Sequence, residues 1–593
     1  MRSAHLAGNT VGAVIATAPA FRLADFTADR DSHPALKICG RKGMLFSHIF
    51  ISLDGKFLSR ACRGHIMAGI TGKPDSLCRV RGTLTADNQH NPKKRCPQNG
   101  EPQNHNTLKH IQLHSTCFLD IGTESPRLMT PAAVHTQTKH IDMKHRPFTT
   151  SALLLAAAFI FTLTGCDRQI RYDISKMGAT GDGVTDNTEI INGAIRLCNA
   201  KGGGTVIVPA GDYLTGTIRL LSNVNLELAD SARLIASSDL NAYGSYIPTK
   251  DMSRYDSGAG TSNQNCVSDS MWCRALIVAS EADGASITGK GSIDGGHITD
   301  PEGEENIRGP HTIIIAQSQN VKVEGIRISR ASNYAILAYD ISDALFRHLN
   351  ITEGWDGIHI RGGERTIIQN CHISTGDDCI AGGYWYDFNI SSCNLNSSCN
   401  GIRMIMPSQK LTIENCRFEG PGKYAHRTSS EQGRPMLHAI TLEPGGWGPA
   451  PGTMRKIIIR NCFASSVLSP LSVTLQDDNH CEDILVLNYK AKDCYRMAMS
   501  VKSWGSATTE KVFIRRCNFE FAGIDDPELP SKMEKLSFDQ WPVFPSWGAY
   551  FRNVDSVIIE NTDFVLTGKD WRKDIIRDNV PNYSRRYVTE DER

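Results

Sequence analysis

The chain has 593 residues, a formal net charge of +1, 21% charged and 40% hydrophobic residues. Such a balance gives no basis for nucleic acid or an anionic membrane surface as the main partner, and the length admits one very large core. The 51 glycines favour many tight corners over a helical bundle.

Residues 1–142 show no sustained apolar period of helix or strand type. Ten of the 19 histidines lie there with Cys39, Cys62, Cys78, Cys96 and Cys117, but no C-x-x-C pair forms a metal-ligand spacing. At Met143 the pattern changes: Lys144, His145 and Arg146 precede an apolar run from Ala152 to Leu163, and Leu163-Thr164-Gly165-Cys166 follows. This is the layout of a signal peptide, too short for a permanent span. The last four residues resemble a bacterial lipobox, which makes Cys166 the expected lipidated residue. Since a signal works only at an N-terminus, the expected organisation is a mis-annotated, disordered extension over 1–142, a lipoprotein signal over 143–165 and a single domain over 166–593. The alternative is an internal hydrophobic stretch between an arm and a domain.

Asp186 as N-cap with Glu189 three residues on predicts a helix, whose apolar residues Ile190, Ile191, Ala194, Ile195 and Cys198 fall at helical spacing. Gly202-Gly203-Gly204 ends it and Thr205-Val206-Ile207-Val208 opens the first strand. Short β-branched runs then recur to the end of the chain, among them Thr366-Ile367-Ile368-Gln369-Asn370-Cys371, Leu411-Thr412-Ile413-Glu414-Asn415-Cys416 and Ile457-Ile458-Ile459-Arg460-Asn461-Cys462. Asp356-Gly357-Ile358, Asp378-Cys379-Ile380 and Asn400-Gly401-Ile402 are spaced by 22 residues each time. A fixed repeat of this length without intervening helices predicts an all-β, right-handed parallel β-helix with a short N-terminal capping helix. Residues one period apart then sit directly above one another, ~4.8 Å apart.

Cys371, Cys393, Cys416, Cys462 and Cys517 occupy equivalent places after strands, which predicts a ladder of buried thiols. Cys266 and Cys273, close together in a loop, are the one pair for which a disulfide competes with two free thiols.

Over most of residues 171–565 the sequence resembles glycoside hydrolase family 28, the polygalacturonase-type enzymes. The resemblance rests on Gly178-Ala179-Thr180-Gly181-Asp182-Gly183, Gly291-Ser292-Ile293-Asp294-Gly295 and Gly376-Asp377-Asp378-Cys379-Ile380-Ala381. It implies Asp377 as general acid and Asp356 and Asp378 as activators of the attacking water, with inversion at the sugar carbon. The family's Asn-Thr-Asp-Gly appears here as Gly354-Trp355-Asp356-Gly357, its Gly-His-Gly as Cys399-Asn400-Gly401, and its Arg-Ile-Lys as Ser500-Val501-Lys502. The family histidine and arginine are therefore missing. No cofactor and no metal is implied.

Two carboxyl groups are what glycoside hydrolysis needs, one protonated and one ionised. Crowding three together raises at least one pKa, so that group keeps its proton. The competing reading of Asp377-Asp378 is a solvated corner; Asp356 one coil away weighs against it. An anionic sugar also needs cations. Lys502 points out of the strand with Ala498 and Ser500. His359, Ala381 and Arg403 share one stacked column, and Arg403 is either a replacement for the lost cation or a solvated surface residue. Asn400 completes the candidate substrate-binding set. Insertions over 243–272, 421–455 (with His426, Arg427, Arg434, His438, Glu443 and Trp447) and 524–546 break the repeat and are expected to shape specificity. Tyr384 and Trp385 are candidates for stacking on sugar.

The expected function is cleavage of an acidic, pectin-like polysaccharide or oligosaccharide by a monomer at the cell envelope, on the periplasmic or outer-membrane surface, touching membrane only through Cys166. Its rivals are a pectate-lyase-like or epimerase β-helix and a non-catalytic glycan-binding β-helix.

Overall fold

The computed structural model describes residues 170–256, 265–428, 434–446, 448–536 and 543–589, together with the two-residue strands Ala35–Leu36 and Ile49–Phe50. The chain divides into two units, Met1–Asp142 and Met143–Arg593. The signal segment 143–165, Cys166 and Trp447 lie outside the described residues, as does nearly all of 1–142.

From Arg171 onward the strands pair in parallel ladders, gathered into a 24-stranded and a 13-stranded sheet. This is a parallel β-helix. Its register is the one the 22-residue spacing predicts: Ile358 lies against Ile380, Ile380 against Ile402, and the column continues through Ile440 and Leu471. All five side chains are fully buried. Burying an isoleucine contributes about 1.5–3 kcal/mol over leaving it exposed, and β-branched residues suit a pleated surface, so the repeat carries its own core.

The polar residue that closes each run also has a physical role. Asn370, Ser392, Asn415, Asn461 and Asn561 all have φ between 46° and 55°. Asparagine tolerates this left-handed conformation better than most side chains, and there the chain turns from one sheet to the next. A cysteine follows the first four of these turns and another follows Arg516, at φ 55°; Cys371, Cys393, Cys416, Cys462 and Cys517 are buried free thiols. Cys266 and Cys273 are free as well; Cys273 instead donates its S–H to the Val267 carbonyl at 3.3 Å.

The helix runs from Thr188 to Ala200, and Ile191, Ala194, Ile195 and Cys198 pack into the core. Its N-cap is Asn187, not Asp186, and no capping box forms. Asn187 is buried and its side chain bonds the backbone of Thr180 and Thr185, tying down the glycine-rich segment before the helix. Glu189 faces Arg196 instead.

The break predicted over 421–455 is only partial. Strand Met436–Leu442 lies inside it as a regular rung, pairing Asn400 with His438 and Arg403 with Thr441. The 524–546 segment contains the short helix Leu529–Glu534. Among the described residues, no helix is long and apolar enough to cross a membrane.

Candidate active site

Asp356 and Asp378 immediately precede successive rungs, Ile358–Gln369 and Ile380–Ser391, so the parallel register alone brings them together. The Asp378 amide donates to Asp356 Oδ1 at 3.3 Å and to Asp377 Oδ1 at 3.1 Å. On the next rung the Asn400 backbone amide and side chain both donate to Asp378 Oδ1, at 3.1 and 2.8 Å. Asp356, Asp377 and Asp378 line one narrow cavity with Tyr334, His359 and Arg403.

Loops supply the rest. A β-carbon on Gly376 would lie 2.6 Å from the Ala425 carbonyl oxygen, so the absence of a side chain there lets the 420s segment close on the acid motif. That contact seats His426 with Nε2 3.4 Å from Asp377 Oδ2. On the same carboxylate, Arg308 Nη2 lies 3.6 Å away, and its guanidinium sits 3.7 Å over the buried Trp355 ring.

These surroundings divide the charge. Burial pushes all three carboxyls upward. At Asp377 the His426 hydrogen bond and the Arg308 charge outweigh burial and hold the pKa at about 2. At Asp378, burial and the neighbouring Asp377 charge win, and the pKa rises to about 6 despite Arg403. Asp356 is pushed well above the usual carboxylate range by burial and by both other acids. His426 is driven down by burial, but the Asp377 hydrogen bond and charge more than reverse this, so it keeps its proton to higher pH than a free imidazole. In the empty cleft, then, the proton that the family resemblance puts on Asp377 is held on its partner His426.

The expected His359–Ala381–Arg403 column is present. Arg403 reaches the cavity, with Nη1 3.7 Å from Asp378 Oδ2 and Nε donating to Glu443 Oε1 at 2.6 Å. His359 is only 3% exposed, lies parallel to the Tyr334 ring at 4.7 Å, and is engaged at both ring nitrogens by Asp356 and Arg361. It stands behind Asp356 in a supporting position. Asn400 is likewise buried between Asp378 and the His438 ring, 3.0 Å away. Lys502 lies two residues along the strand from Ser500, which continues the Arg403 column through Thr441 and Ser472. Its ammonium donates to Ser472 and Ser500 at 3.1 Å each and sits 4.8 Å over Phe544. Burial lowers its pKa to about 8.

Trp385 cannot stack on a sugar, because it is 1% exposed and packs on Phe388 at 4.6 Å. The Tyr384 ring has the Arg254 guanidinium 4.5 Å above it. Arg308, Arg361 and Tyr334 carry no motif in the sequence; only their place near the acids in three dimensions marks them.

Asp377, Asp378 and Cys399 bring potential metal-ligand atoms within 4.8 Å of one another. Burial and the two carboxylates push the Cys399 thiol well up, keeping it protonated, and Asp377 already faces Arg308 and His426. A hard cation such as Ca²⁺ takes six to eight oxygen ligands, so this set does not suit it.

The family described as right handed beta helix region matches residues 258–436. An exopolygalacturonase from Zea mays is 23% identical over 302 residues, covering 42% of this chain and 68% of the relative. A polygalacturonase from Prunus persica is 23% identical over 358 residues, covering 56% and 79% respectively. Two other matched polygalacturonases are covered over about half their length, 48% each. The crystal structure of an exopolygalacturonase from Thermotoga maritima superposes with a TM-score of 0.46 at 18% identity, covering 65% of this chain and 91% of that one. The resemblance to polygalacturonases read from the motifs is thus met again in matches that cover 42% and 56% of the chain.

Proposed function

We propose that the chain is a glycoside hydrolase acting on an acidic, galacturonate-containing glycan of pectin type, with Asp356, Asp377 and Asp378 as its acid–base set. The observation that carries this reading is the convergence of Asp356, Asp377 and Asp378 on one cavity, with His426 Nε2 3.4 Å from Asp377 Oδ2 and Arg403 Nη1 3.7 Å from Asp378 Oδ2. The polygalacturonases that the chain resembles support the substrate class.

In this mechanism the glycosidic C–O bond breaks and the leaving oxygen takes a proton that His426 delivers through the Asp377 carboxylate. Water attacks the sugar carbon and releases its proton to the Asp378 carboxylate, with Asp356 completing the cluster. Inversion follows from the family resemblance. Arg403, beside Asp378, draws the substrate carboxylate to the cleft, and Lys502 extends the same face.

The test is digestion of a panel of pectic and other acidic polysaccharides by wild type and Asp377→Asn. New reducing ends from wild type, absent from the variant, support hydrolysis. A product absorbing in the ultraviolet and abolished by chelator would replace the reading with elimination; binding without any cleavage would leave a glycan-binding surface.

From the Leu163-Thr164-Gly165-Cys166 motif we further propose a monomer held at the cell envelope by lipid at Cys166. Absence of labelled fatty acid from the wild-type protein, with Cys166→Ser as control, would refute the anchor.

A further inference from the structure

We infer that Arg361 is a positioning residue that fixes His359 in the tautomer with its proton on Nδ1 and thereby holds Asp356 as a hydrogen-bond acceptor facing the cleft. The inference deepens the hydrolase reading, and only its consequence for rate depends on that reading.

The geometry leaves one assignment. Arg361 Nε lies 3.0 Å from His359 Nε2 and donates to it. A guanidinium has donors and no acceptor and stays charged in proteins, so Nε2 must present a lone pair. The single proton of a neutral imidazole is then on Nδ1, which lies 2.6 Å from Asp356 Oδ2. The ring nitrogen that carries a proton is set by the bond the other nitrogen makes.

Arg361 is itself immobilised. It is 1% exposed; Nη1 donates to the Tyr255 and Asn265 carbonyls at 3.1 and 3.2 Å, and Nη2 to Asn265 Oδ1 at 2.5 Å. These acceptors belong to the insertion spanning 243–272, which gives that segment a task at the catalytic centre. The Tyr334 ring, parallel to His359 within 7°, prevents tilting.

The groups facing His359 keep it uncharged. Burial acts first, and Arg361, His311, Arg403 and Arg308 all add to the same direction, driving its pKa well below the ordinary imidazole value. Asp356 is the acidic side chain in contact with the ring. Asp356 Oδ2 therefore accepts from a neutral N–H donor, while Oδ1 takes the Asp378 amide. With the opposite tautomer, an Nε2–H would face the Arg361 N–H donor and Nδ1 could no longer donate to Asp356 Oδ2.

The test combines ring ¹⁵N NMR of His359 with kinetics of Arg361→Gln and Arg361→Lys. In substrate-free wild type, Nδ1 is expected protonated and Nε2 bare at every pH from about 5 to about 8. Arg361→Gln should mix the tautomers and lower kcat on the order of 100-fold with KM changed less than about 3-fold, as expected when an orienting partner is lost. Arg361→Lys, which restores a charged donor, should recover the Nδ1–H signal and most of the rate. An Nε2–H or imidazolium ring in wild type overturns the inference, as does an unchanged spectrum and kcat in Arg361→Gln. Should Arg361→Gln not fold, the wild-type spectrum still decides. Because the spectrum needs no substrate, an inactive protein with the expected ring signals would refute the hydrolase reading and leave this inference standing.

Discussion

Gly376 and Ala425 approach so closely that a β-carbon on residue 376 would stand 2.6 Å from the Ala425 carbonyl oxygen. Gly354 O, 2.8 Å away on the other side, closes the remaining space. This backbone contact determines whether His426, the next residue, can meet Asp377. Gly376→Ala should therefore push the 420s segment outward and cost about 100-fold in kcat, the low end for losing a proton-transfer partner. His426→Gln should cost a similar factor. The double variant should be no worse than either single one, since both remove the same interaction. Additive losses would show that Gly376 acts elsewhere.

The same pair sets a pH dependence of stability. The folded-state pKa of His426 is raised, so its contribution is fully present below the unfolded value of about 6.5 and fades as pH rises through the raised value. Asp377, held at about 2, contributes above the unfolded value of about 3.9 and loses its share only as pH falls toward 2. Thermal melts of wild type and His426→Gln should differ most near pH 5–6, by on the order of 1 kcal/mol, and converge at alkaline pH. A constant difference across that range would rule out a charged His426.

Asp378 must be ionised to take a proton from water, so the acid limb of kcat/KM should fall near pH 6. Arg403 lowers the Asp378 pKa. Removing that charge in Arg403→Ala raises it, which moves the acid limb to higher pH, and KM for a uronate oligomer should rise as well. An acid limb unmoved by Arg403→Ala would detach Arg403 from Asp378. A moved limb with unchanged KM would leave Arg403 as an electrostatic neighbour with no hand on the substrate.

How much of this was legible in sequence depends on whether register or loops do the positioning. Asp356, Asp378 and Asn400 are spaced by one period, and a parallel β-helix converts equal spacing into contact. The His359–Ala381–Arg403 column follows for the same reason. What spacing could not give was depth. His359 shares a face with Arg403 yet is covered by Tyr334 and Arg361, and Asn400 is enclosed between Asp378 and His438, which turns candidate ligand contacts into supports. Arg308, Tyr255, Asn265 and His426 come from irregular segments whose landing place has no period to read. The helix start shifted by one residue because Asn187 is held by Thr180 and Thr185, a tertiary constraint that local capping preference does not anticipate.

Lys502 offers a way to separate a residue kept for function from one kept for stability. Its side chain is buried against Ser472, Ser500 and Phe544, and burial lowers its pKa to about 8 in spite of the Glu443 charge. An unfolded lysine titrates near 10.4, so at neutral pH the folded state carries the cost of a desolvated ammonium, and that cost disappears as pH climbs from about 8 past 10.4. Lys502→Met fills similar volume without the charge. It should stabilise the protein at pH 7 by on the order of 1–3 kcal/mol, with the gain shrinking from about pH 8 and gone above about pH 10.4. The same variant should raise KM for an anionic oligosaccharide while leaving kcat within a few-fold. Greater stability with weaker substrate binding would mean that the buried cation is retained for the ligand. A destabilised Lys502→Met with unchanged KM would instead make the lysine a structural strut between the sheet and the segment carrying Phe544.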